Sequence, residues 1–168
     1  QIISRMLRPK FAAFLDKPAF SAEAYIPHTK PGTNCWGMMC QHYSWNLAAQ
    51  QIPICEELYG YHYDAIMRLR LDANFHHEIS LPTSLDTIYV PAVEGHMKKP
   101  FNPAQMCNDQ IAIGPRTLML QFLRLLQHYP NFIRDKLLLT PESVVHHYLR
   151  HIMRCDFRTF PLAYNLQR

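Results

Sequence analysis

Arg68, Arg70 and Asp72 stand at alternate positions in the segment Tyr63-Asp64-Ala65-Ile66-Met67-Arg68-Leu69-Arg70-Leu71-Asp72-Ala73-Asn74. Side chains alternate faces along a strand. This spacing therefore sends two guanidiniums and a carboxylate to one side with Ile66, while Met67, Leu69 and Leu71 take the other. Charges set among such apolar neighbours must pair or bind something. One chemistry is an ion pair from Arg68 or Arg70 to Asp72 within the sheet. The other is ligand binding. Asp72, where the strand runs out, and Asn74 two residues on offer hard oxygen ligands to Mg²⁺ or Mn²⁺, which would in turn hold a diphosphate. That edge of a sheet is where open α/β folds bind ligands.

Asn108-Asp109-Gln110 is the second such place. Three polar side chains precede the apolar run Ile111-Ala112-Ile113. Asp109 is a candidate general base, and its neighbours could hydrogen-bond a polyhydroxylated ligand; the same residues also start turns for local reasons. The third is Gly114-Pro115-Arg116. A glycine between strand and helix brings backbone N–H groups toward an anion, and Arg116 would add charge. The glycine spacing of a phosphate loop or dinucleotide site is missing, so a plain tight turn is the competing reading. Last come His147 and His151, four apart on one helix face with His146 beside them. That spacing suits zinc, but no Glu follows His147, and satisfied or surface histidines explain it as well.

The elements that must position these residues belong to one globular domain. The chain has 168 residues, 48% hydrophobic and 18% charged, enough for a core and unlike a disordered chain. The net charge of +4 comes without a basic run, so nucleic acid is not implied, whereas an anionic small ligand would suit it. No apolar stretch approaches the ~20 residues of a membrane span. The cysteines (35, 40, 55, 107 and 155) form no Cys-x-x-Cys pair. The chain opens on Gln1 rather than Met, and the expectation is a piece of a longer protein.

Residues 1–33 read as an irregular lead-in with Pro9, Pro18, Pro27 and Pro31. A helix starts near Asn34, with Trp36, Met39, Cys40, Tyr43, Leu47 and Gln50 at spacings of three and four; Pro53 is expected to interrupt or end it, before a last turn that stops at Gly60. Strands are expected at 63–71, 87–90 and 110–113. The long 94–106 segment is a loop, and loops of that length are often functional. A helix follows from Pro115 to about Tyr129-Pro130. Thr140-Pro141-Glu142-Ser143 starts another, with threonine as cap and proline in the first helical position. A final extended piece spans 162–166. The order is α/β in character.

Read together, these blocks resemble a family of nucleotide-sugar glycosyltransferases with a GT-A-type fold. The matching residues are Gln41-His42-Tyr43, Glu56-Glu57, the Arg68-x-Arg70-x-Asp72 strand, Ile88-Tyr89-Val90-Pro91, Asn108-Asp109-Gln110-Ile111-Ala112-Ile113-Gly114 with Met119, and Pro141-Glu142 through His147-Tyr148-Leu149 to Tyr164-Asn165-Leu166-Gln167-Arg168. They cover roughly residues 34–168. The resemblance implies a GT-A-like, Rossmann-related mixed sheet flanked by helices. Nothing before Asn34 matches the opening nucleotide-binding strand of such domains, so a domain truncated at its N-terminal side is expected. It implies a nucleoside-diphosphate sugar as donor, a glycan or other hydroxyl as acceptor, and Mn²⁺ or Mg²⁺ held by Asp72 with Asn74, which stands where such proteins carry a second acid. Arg68 and Arg70 would face Asp72 or the phosphates; Asn108, Gln110 and Arg116 would bind substrate; Asp109 would activate the acceptor. The Golgi lumen and the cytoplasm are the compartments such enzymes use. Three rival readings remain: a catalytically inactive sugar-binding or structural relative, a metal-dependent hydrolase built on Asp72 and the histidines, and an unrelated α/β interaction module in which Arg68 and Arg70 only tie the sheet together.

Overall fold

The computed structural model of the chain describes residues 21–70, 73–75, 82–92, 107–160 and 164–166. A helix of 25 residues, α1 (Cys35–Tyr59), forms its longest element. Asn34 caps the helix, its side chain accepting from the Gly37 N–H at 2.9 Å. Gly60 closes it at φ 68°, the left-handed conformation glycine adopts without penalty. Pro53 lies inside α1 and does not end it. The proline removes one backbone donor, and the turns on either side carry the helix through. The buried face also differs from the expected one. It runs through Cys35, Met38, Met39, His42, Trp45, Asn46, Ala49 and Glu56, while Trp36 is 37% exposed. Three of the buried positions are polar, and each finds a partner on another element. Asn46 accepts from Gln127 at 3.0 Å, His42 meets the Tyr129 hydroxyl at 2.7 Å, and Glu56 holds Arg116.

The sheet has four strands in the order β1 (Ala65–Leu69), β4 (Ile111–Pro115), β3 (Tyr89–Pro91), β5 (Arg158–Phe160). β1 and β3 run antiparallel to β4, and β5 runs parallel to β3. The protein is thus mixed α/β with a mixed, open sheet and helices. A separate ribbon pairs β2 (Ala73–Phe75) with β6 (Tyr164–Leu166). The extended piece expected near the C-terminus therefore joins β2 rather than the main sheet, and β5 was not foreseen. The long loop expected at 94–106 lies outside the described residues.

The register of β1 on β4, Ala65 opposite Pro115 and Leu69 opposite Ile111, makes β4 the strand that connects both ends of the candidate site. Parity along β1 follows the alternation expected: Ile66 packs on the main core, Met67 and Leu69 on two smaller clusters across the sheet. Gly114 is glycine for reasons of space. A Cβ there would come within 2.9 Å of the Thr87 carbonyl oxygen and 3.2 Å of the Ile88 Cα. Backbone cannot yield as a flexible side chain does. Gly114→Ala should therefore cost about 1–3 kcal/mol, an overpacking penalty, read as a lower urea midpoint; an unchanged midpoint would mean that β3 and β4 separate freely.

Beyond β4 the expected single helix divides. α2 (Arg116–Phe122) is followed by a 3-10 turn at Leu125–His128 and by α3 (Tyr129–Arg134). Pro130, second residue of α3, sits in its opening turn instead of closing the preceding helix, because N–H groups in the first turn have no intrahelical partner to lose. α4 (Pro141–His147) carries the expected Thr140 cap, reciprocated by the Ser143 hydroxyl, and continues as a wide π turn over Tyr148–Ile152. Phe122, Phe132, Leu125, Val144 and Leu149 are fully buried between these pieces and α1. Each contributes about 1.5–3 kcal/mol on burial. Residues 21–33, the described end of the lead-in, are docked as well: Ala22 is 6% exposed, Tyr25 meets Tyr129 edge-on at 5.3 Å, and Thr29 bridges to Leu139.

Candidate functional site

Two clefts meet on the α1 side of the sheet. The larger, about 620 Å³, lies between α1 and β1. One helical face supplies Gln41, Ser44, Trp45, Ala48 and Ile52, at spacings of three and four. The strand supplies Ile66 to Leu69, and Arg70 follows. Its described lining carries two arginines and no carboxylate. The smaller cleft, about 230 Å³, is lined by Asn34, Gln41, Arg70, Asp109, Gln110 and Glu142 among others. Gln41 and Arg70 belong to both walls.

Asp109 is 4% exposed. Gln41 Nε2 donates to its Oδ2 at 2.9 Å and, more weakly, to its main-chain oxygen at 3.4 Å. Arg68 Nη1 donates to the same main-chain oxygen. The guanidinium lies 4.3 Å from the centre of the Trp45 ring, and that ring is stacked on Phe122 at 5.4 Å. Arg68 is thus held by a cation–π contact and a carbonyl at once. Asn108 is 1% exposed and lines neither cleft; its Oδ1 accepts from the N–H groups of Gln110 and Ile111, at 2.8 and 3.2 Å. This is local turn chemistry, and it aims the loop that carries Asp109. Gln110, 3% exposed, lines the smaller cleft.

The structure thus brings Arg68, Arg70, Asp109 and Gln110 together and keeps Arg116 apart. Arg116 follows the far end of β4 and forks onto Glu56, Nε to Oε1 at 2.6 Å and Nη2 to Oε2 at 2.5 Å. Glu56 is 1% exposed and accepts a third bond from the Tyr63 N–H at 2.9 Å. The Arg116 fork, with that backbone bond, holds its carboxyl at about 2, below the ordinary 4.5. Asp72 lies outside the described residues. Asn74 sits in β2, its backbone opposite Asn165. Among the described residues no three His, Cys, Asp or Glu side chains gather as a metal site. His147 Nε2 bonds Asp135 Oδ2 at 3.1 Å, and its ring lies 4.6 Å from that of His151.

Compared with known protein families, curated proteins and solved structures, the chain matches none.

Sequence reasoning gave Gln41 no role, passed over Trp45, and placed Glu142 only at a helix start and not in the site. The 41–44–45–48–52 spacing along α1 was the signal available for the first two. His42, behind Trp45, is fully buried, its ring 4.5 Å from the indole. Its Nε2 has no partner among the described residues. Burial first, and the Arg68 charge second, push its pKa from 6.5 down to about 3. The unfolded chain therefore binds this proton before the folded one does. The stability contributed by a neutral His42 is complete above about pH 6.5 and lost as pH falls toward 3, on the order of a few kcal/mol. Urea titrations between those limits should show that slope in the wild type and its loss in His42→Phe.

Proposed function

We propose that the chain is the sugar-transferring part of a metal-assisted nucleotide-sugar glycosyltransferase with a GT-A-like arrangement. The observation that carries this reading is the pairing of two clefts of unlike character across Gln41 and Arg70. The larger has the volume of a site for a nucleotide-sized ligand and an arginine-bearing wall suited to a diphosphate. The smaller presents a buried carboxylate, Asp109, held through one oxygen by Gln41.

In this reading the diphosphate of the donor lies against Arg68 and Arg70, and the acceptor hydroxyl reaches Asp109 from the smaller cleft. The hydroxyl oxygen attacks the anomeric carbon. Its proton passes to Asp109, the carbon–oxygen bond to the diphosphate breaks, and the nucleoside diphosphate leaves with the electron pair. Arg70, common to both clefts, faces the negative charge that develops between them. A divalent ion would supply further neutralisation of the diphosphate. Asp72 and Asn74 are the ligands proposed for it, and the described residues do not complete its site.

Thermal denaturation with a panel of nucleoside diphosphates and nucleotide sugars, with and without Mn²⁺, tests the reading. A bound donor at ~100 times its Kd adds about 2.7 kcal/mol, or roughly 5–10 °C for a chain of this size. Arg70→Ala should remove the shift while leaving the unliganded transition in place, and Asp72→Ala should remove its Mn²⁺-dependent part. No shift with any donor would sink the transferase.

A further inference from the structure

The smaller cleft carries the opposite charge pattern to the larger. Asp109 and Glu142 both line it, Gln41, Gln110 and Asn34 add amides, and Arg70 closes the side shared with its neighbour. At about 230 Å³ it falls below the ~300–1,000 Å³ of sites for drug-sized ligands, so it has room for one ring and not for a nucleotide. Asp109 is more than nine-tenths buried, and while Oδ2 accepts from Gln41, Oδ1 accepts from no described residue. A carboxylate oxygen that reaches the surface of the cleft can accept from whatever donor enters. The Cys107 N–H donates to the Glu142 carbonyl oxygen at 3.3 Å, tying the loop before Asp109 to the first turn of α4. The two carboxylates are therefore held on one cleft by a backbone bond.

We propose that this cleft is the acceptor subsite, that it takes a single hydroxyl-rich ring without negative charge, and that Glu142 sets this selectivity. The inference rests on the transferase reading for the word acceptor. A ring bearing hydroxyl or ammonium groups supplies donors to Asp109 and Glu142. A ring bearing a carboxylate meets two like charges, with one shared arginine to offset them.

Ligand-observed NMR tests it, using glucose, glucosamine and glucuronate as ring probes, and UDP, GDP and CDP as probes of the larger cleft. Wild type and Glu142→Gln are compared, with near-UV circular dichroism as the check on folding. Glucose and glucosamine should bind, with glucuronate weaker by about tenfold or more. Glu142→Gln should bring glucuronate within about threefold of glucose and leave nucleotide binding unchanged. Equal binding of glucuronate and glucose to the wild type, or discrimination that survives Glu142→Gln, overturns the assignment. Nucleotide binding without any ring binding overturns it too but leaves the transferase reading in place. Ring discrimination without nucleotide binding overturns the transferase and upholds the cleft's selectivity. Should Glu142→Gln not fold, Glu142→Asp, which retains the charge, must retain the discrimination.

Discussion

Asp109→Asn should lower the rate of sugar transfer by about 10²–10⁴-fold, the contribution of a positioned general base, with donor affinity left within about threefold. The asparagine keeps the size of the side chain and an oxygen able to accept from Gln41, so the 2.9 Å contact that seats the residue can persist. What it loses is the ability to take a proton from the acceptor. A buried, uncharged amide is tolerated at this position because Gln41 and the cleft supply polar neighbours. The measurement is initial-rate kinetics with the donor found by thermal shift, beside binding of the nucleoside diphosphate alone. A fall in nucleotide affinity matching the fall in rate would show that Asp109 holds the donor, and full activity would remove it from the chemistry.

The largest effect on stability is expected from Glu56→Ala. Glu56 is buried at the last turns of α1 and accepts from two nitrogens of Arg116 and from the Tyr63 backbone. Breaking a fully buried pair costs ~3–5 kcal/mol because a charge is left without its partner. The Arg116 side chain is 27% exposed, and water takes up part of that loss. We therefore expect about 2–4 kcal/mol, read from urea denaturation. Replacing both residues together, Glu56→Met with Arg116→Leu, should recover much of it, since no orphaned charge remains. If the double variant is as unstable as the single one, packing and not the ion pair explains the loss.

The same pair has a signature in pH. The folded-state pKa of Glu56, about 2, lies below the ordinary 4.5, so between these values the unfolded chain binds a proton that the folded chain refuses. The stabilisation is complete above about pH 4.5 and disappears as pH falls toward 2. His42 adds its own acid-labile component from about 6.5 downward. Glu56→Gln should abolish the lower component and leave the upper one.

The sequence by itself determined what depends on neighbours along the chain. Asn34 and Gly60 bound α1, Thr140 and Pro141 start α4, and the alternation from Ile66 to Leu69 divides β1 into two faces. Each follows from backbone donors, φ preferences and a period of two or 3.6. Tertiary structure decided the rest. Pro53 sits within one helix, Pro130 sits in the opening turn of another, and β5 exists because Tyr89–Pro91 offers it an edge. The buried face of α1 departs from its most apolar stripe because His42, Asn46 and Glu56 find partners on Tyr129, Gln127 and Arg116, none of them local. Arg116, which in sequence abuts the Asn108–Gly114 block, is drawn away by Glu56, 60 residues earlier. Gln41 reaches Asp109 across 68 residues. A side chain's chemistry is local, but its burial and its partner depend on contacts between elements distant in sequence. Type and spacing could therefore nominate Asp109, while the cleft it faces and the glutamine that holds it came from the fold alone.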